Sequence, residues 1–451
     1  MNITKLNLEF SNKKNYVNMK SLIVLFLLSL IVNAQTQSGA LSLNDCIEIA
    51  LQNNPSLISS TLNVEESRIK IKEVKGGLYP SLNLNVSASR NSIENQTGGG
   101  FTTNDNFTAG LSTRYPIFQG FKTTSAVNAA KENYNSGEAQ HKVNTEDLIF
   151  NVTESYYNFL QAERVLEAAE KSVERAKLYL DFAEAKYQNG LASQSDLLKA
   201  KVEYSNANLN LIRAKNARLS VMGSLNTLLG RIASEPIAIV DNLEFNDYEQ
   251  LEKSLSVEEN ISRLLEAAYE ERPEVYRLKS MINAQKSNLN VARSEYFPTL
   301  TFDANYNHFG EETSDLRASS YLGLSLNMPL FNGFSSDAKV DMEKIALRNL
   351  EQQDVSLRNQ ISLELWKAYL AVKEAIERIN NTKIFYENAL ENLKIAEGEY
   401  KEGVGSMLSL VDAQTNLITA EESYIEALAD YGVSLALLKR ASGIENIEEI
   451  L

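Results

Sequence analysis

The sequence predicts an α+β membrane protein built on a twofold internal repeat, with two long coiled-coil helical hairpins and four β-strands. Three observations predict it. A set of residues recurs at a fixed offset, Pro116 with Pro329, Tyr156 with Tyr369, Gly190 with Gly403 and Gly230 with Gly443. Heptads of apolar residues run through both copies, and four stretches alternate apolar with polar residues. An offset that does not slip over more than a hundred residues marks one structural unit used twice.

The chain opens with a leader. Met19-Lys20, the apolar run Leu22 to Val32 and the small-residue pattern Val32-Asn-Ala34 read as a secretory signal over 1–34, with an upstream extension over 1–18. The run is too short to span a bilayer as a helix. The remainder, 35–451, reads as a single domain: repeat 1 over about 41–230, an acidic and irregular connector over 231–260 on the outside of the helices, and repeat 2 over about 261–443.

Leu41 to Leu51 starts an amphipathic helix, capped by Ser42 or Asn44, that ends near Gly76-Gly77. A weaker copy starts at Ser262, with Asn54-Pro55 echoed by Arg272-Pro273 and Pro80 by Pro298. After each of those later prolines the period becomes two. Leu82, Leu84, Val86 and Ala88 form one apolar row, and Phe107, Ala109, Leu111 and Tyr115 the next. Leu300, Phe302, Ala304 and Tyr306 form the third, and Leu322, Leu324, Leu326 and Met328 the fourth. Polar loops at 90–105 and 309–318 close two hairpins.

Strands of about ten residues with one apolar face fit a membrane barrel, although a soluble sheet carries the same alternation. An exported chain with no apolar helix to anchor it, and no other segment long enough to cover four such faces, favours the barrel. Four strands cannot close one, and lipid does not tolerate open edges. The chain must therefore assemble: three copies supply twelve strands, two supply eight.

In the first long arm, large residues recur every seven positions at Val152, Phe159, Leu166, Val173, Leu180 and Tyr187, each followed three positions later by a small one, from Ser155 to Gly190. The second copy runs from Leu365 to Tyr400. Such heptads read as coiled coil, and helix unbroken from near Phe121 to Tyr187 would be about 100 Å long. Each arm reverses at a glycine, Gly190 or Gly403, and Ser193 or Ser406 caps the returning helix.

The chain has 44 basic and 59 acidic residues, and removing 1–34 deepens the net charge from −15 to −18. So acidic a surface argues against nucleic acid. One cysteine, Cys46, excludes a disulfide framework and has no lipobox around it. His141 and His308 lie on different elements without a partner set. There is no phosphate loop, cysteine pair or His-x-x-x-His. The sequence therefore implies no enzyme, cofactor or metal site.

Taken together, Leu43 to Pro55, the two Tyr/Phe-Pro strand starts, Pro-Ile-Phe-Gln-Gly with Pro-Leu-Phe-Asn-Gly, the tips Tyr187-x-x-Gly-x-x-Ser193 and Tyr400-x-x-Gly-x-x-Ser406, and Leu228-Leu-Gly230 resemble the TolC-like outer-membrane efflux protein family. The resemblance spans essentially 41–443 in order. It implies a homotrimer in the outer membrane of a Gram-negative bacterium, a twelve-stranded barrel in lipid continued by an α-helical tunnel through the periplasm. The channel is passive, with an inner-membrane pump and a periplasmic adaptor as partners. By match, Gly190, Leu191, Ala192 and Ser193, with Gly403, Val404, Gly405 and Ser406, face the adaptor. At the entrance constriction, where family members carry an arginine and two aspartates, this chain has Gly405, Ser409 and Asp412. Asp196 takes the first aspartate's place in the other repeat, and Glu399 and Glu402 lie nearby. Type I protein secretion is the second channel reading, and a fibrous coiled-coil surface protein the reading from another class.

Overall fold

The computed structural model describes residues 39–94, 98–243, 245 and 258–444; the leader lies outside them. Ser42 opens the first helix. Its hydroxyl accepts from the Asp45 amide while the Asp45 carboxylate accepts from the Ser42 amide, a reciprocal cap. The single helix expected over 41–76 is two, α1 (Leu43–Asn53) and α2 (Pro55–Gly76). Pro55 has no N–H to continue the ladder and holds Asn54 extended at ψ 120°. The Asn54 side chain restarts the helix by accepting from the Ser56 and Leu57 amides. Among the described residues no helix is long and apolar enough to cross a membrane.

β1 (Ser81–Glu94), β2 (Phe101–Gln119), β3 (Thr299–Gly310) and β4 (Arg317–Asn327) form one antiparallel sheet in the order β1-β2-β3-β4. The register sets Leu84 beside Leu111 and Leu111 beside Tyr306, and Phe302 beside Leu324, so the four apolar rows share one face. Nothing among the described residues covers that face: Leu82, Leu84, Val86 and Leu322 are each more than 70% exposed. The loops expected over 90–105 and 309–318 are shorter, because the strands run on into them. Arg90 forks onto both carboxylate oxygens of Asp105 at 2.6 and 2.7 Å, and Ser92 meets Thr103 at 3.0 Å. Polar residues that pair across strands extend a ladder as well as apolar ones do.

Long helices follow each hairpin strand pair. α3 (Lys122–Gln188) has 67 residues and returns as α4 (Gln194–Leu228). α7 (Ser335–Glu402) has 68 and returns as α8 (Met407–Ser442). At 1.5 Å per residue α3 is about 100 Å long. Between the repeats lie α5 (Glu258–Glu271) and α6 (Pro273–Arg293), the second helix break falling at Arg272-Pro273. Backbone conformations match at the repeat offset: φ is 64° at both Phe121 and Phe334, and 72° and 70° at Gly230 and Gly443.

Small residues close the seams between helices. Ala183, Ala420 and Ala427 are fully buried, and a Cβ on Gly432 would fall 2.6 Å from the Tyr157 ring. The connector is more than an outer wrap in its described part. Leu41 pairs with Ile239, Ile237 and Leu243 are buried, and Phe245 packs between Tyr157 of the first repeat, tilted, and Tyr431 of the second, edge-on. The helix that opens repeat 2 runs from Glu258. Near this level the buried Arg272 donates to Glu274 and Glu364, both at 2.7 Å, and Arg440 bonds Asp147. Cys46 is wholly buried in the same core, which pushes its thiol up to about 11.

Candidate functional site: the hairpin tips and the entrance

Each hairpin reverses where a glycine permits it. Gly190 and Gly403 have φ of 71° and 81°, and a Cβ on either would meet nothing within 4 Å. Conformation, not space, requires glycine there. At the first tip the Gly190 amide donates to the Tyr187 carbonyl at 3.0 Å and the Leu191 amide to Lys186 at 2.7 Å. At the second, the Val404 and Gly405 amides both donate to the Glu399 carbonyl, at 3.0 and 2.9 Å.

Gly405 is glycine for the opposite reason. A Cβ would lie 2.8 Å from the Glu399 Cβ and 3.0 Å from its carbonyl carbon. The turn crosses α7 so closely that an arginine at 405 would have to move the backbone. The glycine in place of the expected arginine therefore has a local steric cause.

The returning helices start as their caps dictate. Asp196 N–H donates to the Ser193 hydroxyl at 3.2 Å, and that hydroxyl donates to the Asp196 carboxylate at 2.8 Å. Ser409 N–H donates to the Ser406 hydroxyl at 3.1 Å. Two of the expected constriction residues, Asp196 and Ser409, are thus engaged in helix caps. Asp412 stands exposed on α8 about one turn beyond Ser409, and Glu402 is exposed at the end of α7. Leu191 and Val404, one repeat offset apart, are 77% and 81% exposed, so each tip presents an apolar knob. Ala192 is half-buried.

Contacts tie the two tips together. Lys186 donates to the Tyr400 carbonyl and lies 4.3 Å from the centre of the Tyr400 ring. The Tyr179 hydroxyl bonds Glu397, and Lys401 sits 5.8 Å from the Phe182 ring. Tyr187 and Tyr400 are repeat mates with opposite fates: Tyr187 is 42% exposed, whereas Tyr400 is buried under the first hairpin. Burial, with the charge of Asp196 adding, pushes the Tyr400 phenol up. Identical residues at matched positions carry no sequence sign of which one becomes core.

An open groove runs between α4 and α8, lined by Leu198, Val202 and Leu408 near the tips and by Arg213, Ile418 and Glu422 further on. Glu203 borders both stretches, and burial pushes its carboxyl and that of Glu422 up. Among the described residues no cluster of His, Cys, Asp and Glu could hold a metal ion.

Comparison with known proteins bears on this arrangement. Residues 46–231 and 264–444 match the family described as outer membrane efflux protein. The chain is 23% identical over 393 residues to the toluene efflux pump outer membrane protein TtgC of Pseudomonas putida, covering 85% of this chain and 79% of that protein. It is 21% identical over 455 residues to the outer membrane protein TolC of Vibrio cholerae, covering 96% and 98%. With the cation efflux system protein CusC of Escherichia coli it shares 24% over 391 residues, covering 84% and 81%. Among solved structures, CusC superposes with a TM-score of 0.75 at 20% identity over 89% of this chain and 92% of that one. The outer membrane protein VceC of Vibrio cholerae gives 0.74 at 18% over 89% and 96%.

Proposed function

The chain belongs to the outer membrane efflux protein family, and on that premise we propose that it is the passive outer-membrane duct of a tripartite efflux system for small molecules. Three copies close a twelve-stranded barrel, and their helical hairpins continue it as a tunnel through the periplasm. A periplasmic adaptor grips the tips at Gly190–Ser193 and Gly403–Ser406, and an inner-membrane pump supplies the energy. The single domain follows a cleaved leader over 1–34.

The observation that carries this reading is the sheet: among the described residues its apolar face is uncovered and its edges β1 and β4 pair with no other strand. Unpaired strand edges in lipid cost several kcal/mol per group, so copies must pair β4 to β1 until the ring closes. Exposed apolar rows on α4 (Leu198, Val202, Leu209) and α7 (Leu363, Trp366, Leu370) support helix packing between copies as well. The relatives named for toluene and for cations stand at nearly equal identity, which supports a duct that leaves the choice of cargo to the pump. Asp412 forms a ring of three carboxylates at the entrance, with Glu402 beside it.

Native mass measurement of the detergent-extracted protein tests the assembly. Three chains are expected, and a stable monomer that keeps its full strand content ends the barrel reading.

A further inference from the structure

The residues between the apolar ones in each strand share the other face of the sheet, and that face is a wall rich in serine, threonine and asparagine. Among the described residues, the strands place charge on it at three positions. Arg317 stands at one rim, where β4 begins, and Arg114 faces Asp303 near the other. Ser81, the first residue of β1, lies beside Arg114 and marks that level as the helical end of the sheet.

Arg114 and Asp303 are unequal partners. The Arg114 Nε donates to Asp303 Oδ1 at 2.8 Å, and the Thr301 hydroxyl donates to Oδ2 at 3.2 Å. Both carboxylate oxygens are therefore engaged, and the Asp303 side chain is 21% exposed. Arg114 uses one nitrogen and its side chain is 73% exposed; its two Nη groups meet no acceptor among the described residues. A cross-strand pair made only to pin the register has no need to hold back its donors. Arg90 does not, since it forks onto both oxygens of Asp105 on the opposite face.

A second donor lies in the same row. Gly323 pairs with Asp303 from the β4 side, and a Cβ there would fall 2.2 Å from the Tyr321 hydroxyl. Glycine at 323 leaves the room in which the phenol lies down beside the pair.

We propose that Arg114, seated on Asp303 and joined by the Tyr321 hydroxyl, is an oxyanion-binding site in the wall of the barrel, taking carboxylate or phosphate groups of solutes in transit. This rests on the barrel reading above, in which the polar face lines the lumen and three copies set three such sites at one level. The free edge of a guanidinium matches two oxygens of an oxyanion, and rings of arginine serve anion-conducting pores. Twelve strands about 4.8 Å apart and tilted about 40° enclose a backbone radius of roughly 12 Å. Screening acts over about 10 Å at 0.1 M salt, so the ring is felt across much of the lumen. Elsewhere the chain without its leader, at a net charge of −18, repels anions.

The test is block of single-channel current by inorganic tripolyphosphate, added from the barrel side of a planar bilayer holding the full-length trimer in 0.1 M salt. Arg114→Gln should raise the half-blocking concentration at least tenfold. Arg114→Gln with Asp303→Asn should raise it as much, although the pair's net charge is unchanged. Asp303→Asn alone, which loses no cation, should lower it severalfold. Equal block in the unaltered protein and the double variant would make the pair a register pin and overturn the proposal. So would Asp303→Asn weakening block as far as Arg114→Gln does. Native mass of the same samples reports the trimer separately: intact conducting trimers with either of those results sink the site alone, whereas monomers that do not conduct sink the barrel with it.

Discussion

Lys186, near the end of α3, lies 4.3 Å from the centre of the Tyr400 ring near the end of α7. The cation also donates to the Tyr400 carbonyl, so one side chain fastens the first hairpin to the second within a turn of both tips. Lys186→Ala removes both contacts. The loss is on the order of 1–2 kcal/mol, seen as a lower melting temperature of the purified protein and as more frequent open events in a planar bilayer. Unaltered gating alongside a lowered melting temperature would make the contact structural only.

A β-branched residue at Gly190 or Gly403 strains a positive φ with no clash to add, at about 1–3 kcal/mol. Because the strain sits at the far end of a rod about 100 Å long, assembled protein should be recovered in normal yield while efflux and crosslinking to the adaptor fall. A joint fall of assembly and efflux would deny the tips a role in partnering.

In the proposed trimer the exposed Asp412 would form a ring of carboxylates, and such rings favour cations and hold multivalent ones. Asp412→Ala should weaken block by a trivalent cation added from the periplasmic side, with single-channel conductance as the readout. Adding Glu402→Ala should weaken it further. Unchanged block in the double variant moves the entrance elsewhere.

Glu146 on α3 is pushed up to about 7, by burial first and then by Glu274, against the pull of Arg272 and Arg440. A carboxyl whose folded pKa is raised favours the fold when protonated, so stability is fully present below the ordinary value of 4.5 and falls as pH rises through about 7. Glu146→Gln should remove that slope. It should raise stability at pH 8 by on the order of 2 kcal/mol and change little at pH 4. Parallel melting curves for the two proteins across that range would show that another group titrates there.

Much of this architecture was legible because periodicity survives in sequence wherever burial has one partner. The heptads of α3 and α7 and the alternation in β2 and β3 each report a single buried or lipid-facing side. The strand ends were missed because Arg90 and Asp105 satisfy one another across the ladder, and pairing of that kind leaves no apolar trace. The break at Asn54 had its proline in view. The tie between Lys186 and Tyr400 and the wedge of Phe245 are contacts across hundreds of residues, which no local period records. The capping bonds of Asp196 and Ser409 follow from their spacing from Ser193 and Ser406, a signal present in the sequence.

Two rods of 67 and 68 residues leave the same sheet and must reach the same level for Lys186 to find Tyr400. That makes the pair a ruler with matched arms. Adding one heptad to α3 lengthens it by about 10 Å and lifts its tip past its neighbour unless α4, α7 and α8 each grow alike. The contacts between the arms therefore survive a change of length only when whole heptads are inserted in all four helices at once.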